Sequence, residues 1–223
     1  MKNKRVFSLA YTTALVLAGS LSTAAMAQKG AEPINVNSQF VMAARAGNTA
    51  RVAELIKQGA AVNSRDRNGD SPLNMAASKG NEALVDLLMK SGADINLANL
   101  SGVTPLMGAA FSAKPSLVKI LVAAGAKTDP TDRVKKNAAI YAAGSGCQEC
   151  LSQLVATPAQ INARLDNDVT LLMWAAGYGH ESTVKFLLDQ GADRSMKDNR
   201  GKTAADIAAD ANFPVVKKLL DNV

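Results

Sequence analysis

A Ser, Thr or Asn recurs every 33 residues along this chain, at Ser38, Ser71, Thr104, Asn137, Thr170 and Thr203. Five residues after each mark an Ala-Ala pair begins: Ala43-Ala44, Ala76-Ala77, Ala109-Ala110, Ala142-Ala143, Ala175-Ala176 and Ala208-Ala209. The six copies stay in phase without insertion or deletion. A period of this length means small supersecondary units, none able to bury its hydrophobic face alone, that must stack to make a core. Stacks of that kind are mostly surfaces for holding other molecules, so the period favours binding over catalysis.

Each unit can be read locally. The marked residue suits a helix N-cap, because its side-chain oxygen accepts from the free amides of the first turn. Pro72 and Pro105 follow directly, where a missing N–H costs nothing. The Ala-Ala pair lies on that short helix, its methyl groups allowing a close approach that Leu would overpack by roughly 1–3 kcal/mol. A break follows at Gly47, Gly80, Gly146 or Gly179. A second helix carries Leu55-Ile56, Leu87-Leu88, Ile120-Leu121, Phe186-Leu187 or Leu219-Leu220, with Pro115 and Pro214 placing its first turn. It ends at Gly59, Gly92, Gly125 or Gly191, where a left-handed cap suits glycine. Polar turns such as Asp66-Arg67-Asn68-Gly69 and Asp198-Asn199-Arg200-Gly201 come next.

Ser71-Pro-Leu-Asn-Met-Ala-Ala and Thr104-Pro-Leu-Met-Gly-Ala-Ala resemble the ankyrin motif Thr-Pro-Leu-His-x-Ala-Ala, and Gly92-Ala93-Asp94-Ile95-Asn96 resembles that family's Gly-Ala-Asp-Val-Asn ending. The likeness runs over about residues 34–223. It implies an all-α fold, an ankyrin-repeat solenoid of about six 33-residue helix-loop-helix units with projecting turns. The units fall near 34–63, 64–96, 97–129, 130–162, 163–195 and 196–223. The motif's His is absent throughout. The fourth copy departs furthest, with Asn137-Ala138-Ala139-Ile140 at the motif, Lys135 where a turn glycine is usual and Pro158 where the cap glycine belongs, and is expected to be the least regular.

Residues 1–27 read as a signal peptide. Lys2, Lys4 and Arg5 precede an apolar stretch from Val6 to about Leu21, and Ala25-Met26-Ala27 supplies the small residues a signal peptidase reads. Cleavage after Ala27 leaves Gln28 first, then a short tail over 28–33. The apolar stretch is short for a membrane span and holds Ser8, Thr12, Thr13 and Ser20. Export, to a bacterial periplasm, is the expectation, with no membrane insertion after cleavage. Processing removes three basic residues and no acidic ones, so 25 basic against 19 acidic (+6) becomes 22 against 19 (+3). Few aromatics and no basic-aromatic interleaving argue against nucleic acid.

The two cysteines, Cys147 and Cys150, form a C-x-x-C at the start of the second helix of the fourth copy. One turn of helix brings the sulfurs within reach, and an oxidising compartment favours a structural disulfide. Reduced packing cysteines remain open at this stage, as does a working redox pair whose thiolate a helix N-terminus would stabilise. Covalent haem attachment is excluded, because Leu151 stands where His is required.

Little else suggests chemistry. His180 is the sole histidine, in a Gly-His-Glu loop where it would tie two helices together. Cys147 lies one repeat away, at about one helix-to-helix spacing of 10 Å, too far for a catalytic pair. Asp66 to Asp70 has its glycine at the fourth place and Ala77 at the twelfth, so it is a turn and not a calcium loop. Trp174 stands where Met75 and Tyr141 occur and reads as packing. No cofactor or metal is expected, nor is enzymatic activity.

The resemblance implies that partners dock on the concave surface built from the turns and the exposed sides of the first helices. Positions that fall there are Arg65, Arg67, Leu100, Val103, Phe111, Arg133, Val134, Lys136, Arg164, Val169, Tyr178 and Arg200. Their apolar centre, flanked by arginine and lysine, suits a protein partner with an acidic, partly apolar surface, bound by a monomer. The alternative function is thiol-based redox or oxidative-stress protection through Cys147 and Cys150.

Overall fold

A computed structural model of the chain describes residues 35–221; the signal peptide and tail expected over residues 1–33 lie outside them. Every regular element in the described residues is helical. The chain runs through helical hairpins: α1 (Val36–Ala46) with α2 (Thr49–Lys57), α3 (Pro72–Lys79) with α4 (Glu82–Lys90), and α5 (Pro105–Phe111) with α6 (Pro115–Ala123). Next come α7 (Ala138–Gly144) and α8 (Gln148–Leu154), a four-residue helix α9 (Pro158–Ile161) and a 3₁₀ turn (Asp166–Asp168). Helices α10 (Leu171–Gly177), α11 (Glu181–Asp189), α12 (Ala204–Asp210) and α13 (Pro214–Asp221) complete the stack.

The 33-residue mark is a helix cap from Ser71 onward. Ser71, Thr104, Asn137, Thr170 and Thr203 leave extended backbone, and each side chain accepts from the amide three residues on. Where the ankyrin motif has His, Asn74, Met107, Met173 and Asp206 bond back to the cap's own amide, closing a capping box. Ser38 breaks the pattern. It lies inside α1, whose cap is Asn35, with Oδ1 accepting from the Asn37 amide at 2.8 Å. The cap of α1 therefore falls three residues ahead of the mark, and the helix runs to 11 residues.

First helices pack on first helices in an unbroken row, α1 on α3, then α5, α7, α10 and α12. The alanine pairs sit in these contacts. All are buried except Ala209, on α12, which no further first helix covers among the described residues. Between the helices of each pair, Leu55, Leu84, Leu88, Leu117, Leu121, Leu151 and Leu187 are inaccessible to solvent. Each contributes about 1.5–3 kcal/mol by leaving water. One core therefore runs the length of the stack.

Two polar ladders stitch neighbouring units. Along the turns, the backbone amide of Leu100 donates to the Asn68 carbonyl, Arg133 to Ser101 and Asn199 to Asn167. Among the described residues no such bond joins Asp166 to Val134, the rung the spacing calls for. At the opposite edge, Asn63 accepts from the Asp94 amide, Asn96 from Lys127 and Asn162 from Asp193, each at 2.8–2.9 Å. Asp129 occupies the missing place there. The amide it would meet, that of Gln160, bonds instead to the Thr157 carbonyl within the turn leading into α9. Both gaps fall at the unit holding Pro158. The second helix there is 7 residues long, against 9 in α2, α4, α6 and α11, and ends in extended backbone at Val155.

Candidate functional site

The four turns that carry seven of the twelve expected contact residues are built by one device. An acceptor at the turn's start takes two amides, two and four residues on: Asp66 those of Asn68 and Asp70, Asn99 those of Ser101 and Val103. Asp132 takes those of Val134 and Lys136, and Asp198 those of Arg200 and Lys202. The last place before the turn's exit residue has positive φ, held by Gly69, Gly102, Lys135, Asp168 and Gly201. Leu165 has no side-chain oxygen, so its turn collapses into the 3₁₀ form with both Asn167 and Asp168 left-handed.

Two of these turn carboxylates, Asp198 and Asp66, are held ionised. The Lys202 amide does most to keep Asp198 below the usual carboxylate range, acting against burial and with help from Arg200. Burial raises Asp66, but the amides of Asp70 and Asn68 and the Arg45 guanidinium outweigh it, so that it too lies low.

Of the expected contact residues, four apolar ones are plainly open: Leu100 (56%), Phe111 (65%), Val134 (64%) and Tyr178 (53%). Val103 and Val169 are half-buried and pack against the core, so they are not free docking groups. The arginines also differ among themselves. Arg65 donates to the Ala98 carbonyl and Arg164 to that of Lys197, each tying its turn to the next unit. Arg200 spends Nε and Nη2 on Asp198, at 2.9 and 2.7 Å, so the bidentate fork expected for a partner's carboxylate is already used. Arg67 and Arg133 make no side-chain hydrogen bond or ion pair among the described residues.

Three first helices bring the remaining groups together. Phe111 at the end of α5, Ile140, Tyr141 and Gly144 on α7, Trp174 on α10 and Tyr178 just beyond it line a cleft of about 80 Å³ with Lys136 at its edge. Phe111 meets Tyr141 edge-on at 5.7 Å between centroids, and Trp174 stacks on Tyr178 at 6.0 Å. Lys136 Nζ lies 4.6 Å from the Trp174 ring centre and 5.8 Å from that of Tyr141. The Tyr141 hydroxyl donates to Asp132, and burial together with that carboxylate pushes its pKa well above the usual phenol range. The phenol therefore stays protonated. Tyr141 and Trp174 were not among the expected contact residues. The usable signal was two aromatics at one position in consecutive copies, where Met75 and Gly108 stand in the copies before.

A family model described as ankyrin repeats (3 copies) matches residues 40–132, 84–165 and 139–223. The chain belongs to the ankyrin-repeat family. This ankyrin chain is similar to a chain in the solved complex of the predatory endopeptidase Bd0816 from Bdellovibrio bacteriovorus with immunity protein Bd3460. The TM-score is 0.73 at 29% identity, covering 82% of this chain and 96% of that one. It is 32% identical over 94 residues to the NAD-capped RNA hydrolase NUDT12 of Macaca fascicularis. It is 40% identical over 76 residues to a transient receptor potential cation channel subfamily A member 1 homolog of Caenorhabditis elegans. Those stretches are 42% and 34% of this chain but only 20% and 6% of the two relatives. Hydrolase and channel activities therefore belong to those proteins as wholes. What ankyrin stacks share is a curved surface that holds proteins.

The ankyrin loops also place the remaining singled-out residues. Asn81, Lys114, Cys147, His180 and Phe213 stand in register at the caps of α4, α6, α8, α11 and α13. His180 Nε2 donates to the Gly144 carbonyl at 2.9 Å, and its ring presses on Gly146, so it ties loops and has no nucleophile beside it. Cys147 and Cys150 form a disulfide, 2.03 Å between sulfurs. Both are buried, and Cys147 Sγ accepts from the Cys150 amide in the cap's place. The redox reading finds no support. Among the described residues no cluster of metal-ligating side chains occurs, and no helix is long and apolar enough to cross a membrane.

Proposed function

We propose that this chain is an exported, non-catalytic binding module of six ankyrin repeats that holds a protein partner against its concave face, as an immunity-type inhibitor of a peptidase in the bacterial envelope. The observation that carries this reading is the likeness to a chain of an endopeptidase–immunity protein complex over 96% of that chain's length. A stack of helix pairs suits the holding side of such a pair, since curvature gives extended surface while the core only supports it. Leu100, Phe111, Val134 and Tyr178 supply exposed apolar contacts, and Arg67 and Arg133 unspent charge, for a partner surface that is acidic and partly apolar. The basic start, apolar stretch and Ala25-Met26-Ala27 support export to the periplasm, with Gln28 first in the processed monomer.

The test is crosslinked capture from an envelope extract by residues 28–223, wild type beside Phe111→Asp/Val134→Asp. The expected result is one peptidase retained by the wild type, lost by the double variant and inhibited when the pure chain is added back. Equal capture by both chains, or a captured enzyme that cleaves undiminished, would refute the reading. N-terminal sequencing of the processed chain should begin at Gln28.

A further inference from the structure

Building on the binding-module reading, the geometry points to one subsite within the concave face: the cleft at α5, α7 and α10 takes a single aliphatic side chain flanked by a carboxylate, on an acidic segment of the partner protein. At about 80 Å³ the cleft is far smaller than the roughly 300–1,000 Å³ of small-molecule pockets. It is the size of an anchor point in an interface, lined by the rigid aromatic rings that such points favour.

Lys136 decides the charge of the guest. Its ammonium rests over Trp174 and near Tyr141, and among the described residues no carboxylate lies within ion-pair distance of it. Asp132, the nearest acid in its turn, is spent on the Tyr141 hydroxyl and the amides of Val134 and Lys136. Arg133 and Lys135 add exposed positive charge beside it. An aromatic cleft alone would attract cationic side chains, but here Lys136 already takes the cation–π place and like charge repels a second. A carboxylate entering with an apolar neighbour completes both requirements: the chain carbons displace water from the rings while the charge meets Lys136.

Gly144 keeps the cleft open. It lies in helical backbone, and a Cβ there would meet Tyr178 at 3.7 Å, an ordinary contact. An alanine fits without strain and improves the helix, yet occupies the space a guest would use. Glycine at a helix end where alanine would be more stable is explained by a side chain arriving from outside.

Trp174 is the chain's single tryptophan, so its indole N–H resonance reports on the cleft alone. The probes are capped tripeptides Glu-Leu-Glu, Lys-Leu-Lys and Glu-Ala-Glu, titrated to millimolar concentration against the mature chain. Glu-Leu-Glu should shift the indole signal saturably, and the other two should bind at least about tenfold more weakly, a difference of about 1.4 kcal/mol. Lys136→Gln should erase the preference for acid over base. Gly144→Ala should weaken binding while raising the melting temperature, which separates a blocked cleft from a damaged fold. Equal binding of Glu-Leu-Glu and Lys-Leu-Lys, or no shift with Glu-Leu-Glu, would overturn the inference. Peptidase capture unaffected by Lys136→Gln and Gly144→Ala would sink the subsite and leave the binding module standing. Peptide binding with no captured peptidase would do the reverse.

Discussion

Units α3–α4 and α5–α6 keep the rules of the 33-residue repeat apart from Ala113 and Lys114 in one loop, whereas α7–α8 and α10–α11 break one rule after another. In the first two, Ser71 or Thr104 caps onto proline, the turns end on Gly69 and Gly102, and both ladders are complete between them. In the second two, Lys135 and Asp168 take the left-handed turn positions, Leu165 replaces the turn's acceptor, and each ladder skips a rung at Pro158's unit. Yet Lys136, Tyr141, Trp174 and Tyr178, the cleft's most distinctive groups, all come from the irregular pair. Regular units are spent on stacking; the departures line the cleft proposed for recognition. That is the division expected when rules of local structure are broken mainly where function requires it.

The comparison can be sharpened by substitution, largest effect first. Gly179→Ala and Gly92→Ala probe equal backbone strain in unequal space. At Gly179, φ +76, a Cβ would lie 2.6 Å from the Phe213 ring, while at Gly92, φ +85, nothing lies within 4 Å. Urea unfolding should show a loss of about 2–4 kcal/mol for the first, from strain and overpacking together, and about 1–2 kcal/mol for the second. Reduction of the Cys147–Cys150 bond should cost about 2 kcal/mol, the chain-entropy value for so short a loop. It should raise amide exchange in α8 first and leave partner capture unchanged.

Asp168→Gly should stabilise the chain by about 1 kcal/mol by relieving its positive φ of 59°, a gain with no counterpart in a turn that already ends on glycine. Its exposed contact with Arg164, at 3.6 Å, is too weak to offset this. The smallest effect concerns acid. A carboxyl held low in the folded state contributes stability that is full above the unfolded value of about 3.9 and lost as pH falls through the folded value. Asp198→Asn should keep its turn, since Asn99 builds the same turn without charge, and should flatten the acid limb of the unfolding curve.

Much of the scaffold was legible because each repeat states its own local chemistry. Caps from Ser71 to Thr203, prolines at Pro72, Pro105, Pro115 and Pro214, and left-handed glycines after the second helices all stand where spacing and backbone preference put them. Ser38 misled because it keeps the period but lies inside α1, three residues past the Asn35 cap. Asp168 went unnoticed among the turn residues, and Ala113 and Asn212 also adopt positive φ, at 50° and 61°, because the loop before each second helix imposes the conformation whatever residue is present. The site was harder to read. Exposure at Val103 and Val169, the internal use of Arg65, Arg164 and Arg200, and the meeting of Phe111 with Tyr141 all depend on neighbouring units, which no single repeat encodes.

The absent rung between Val134 and Asp166 has one more consequence. Laid end to end, the turns act like a zipper that has lost a tooth. Pulled from its two ends, the stack should lengthen in two steps, with α10 to α13 parting from α1 to α8 before either block unravels. A partner that grips Phe111 on one side of that gap and Trp174 on the other would be, in effect, a splint.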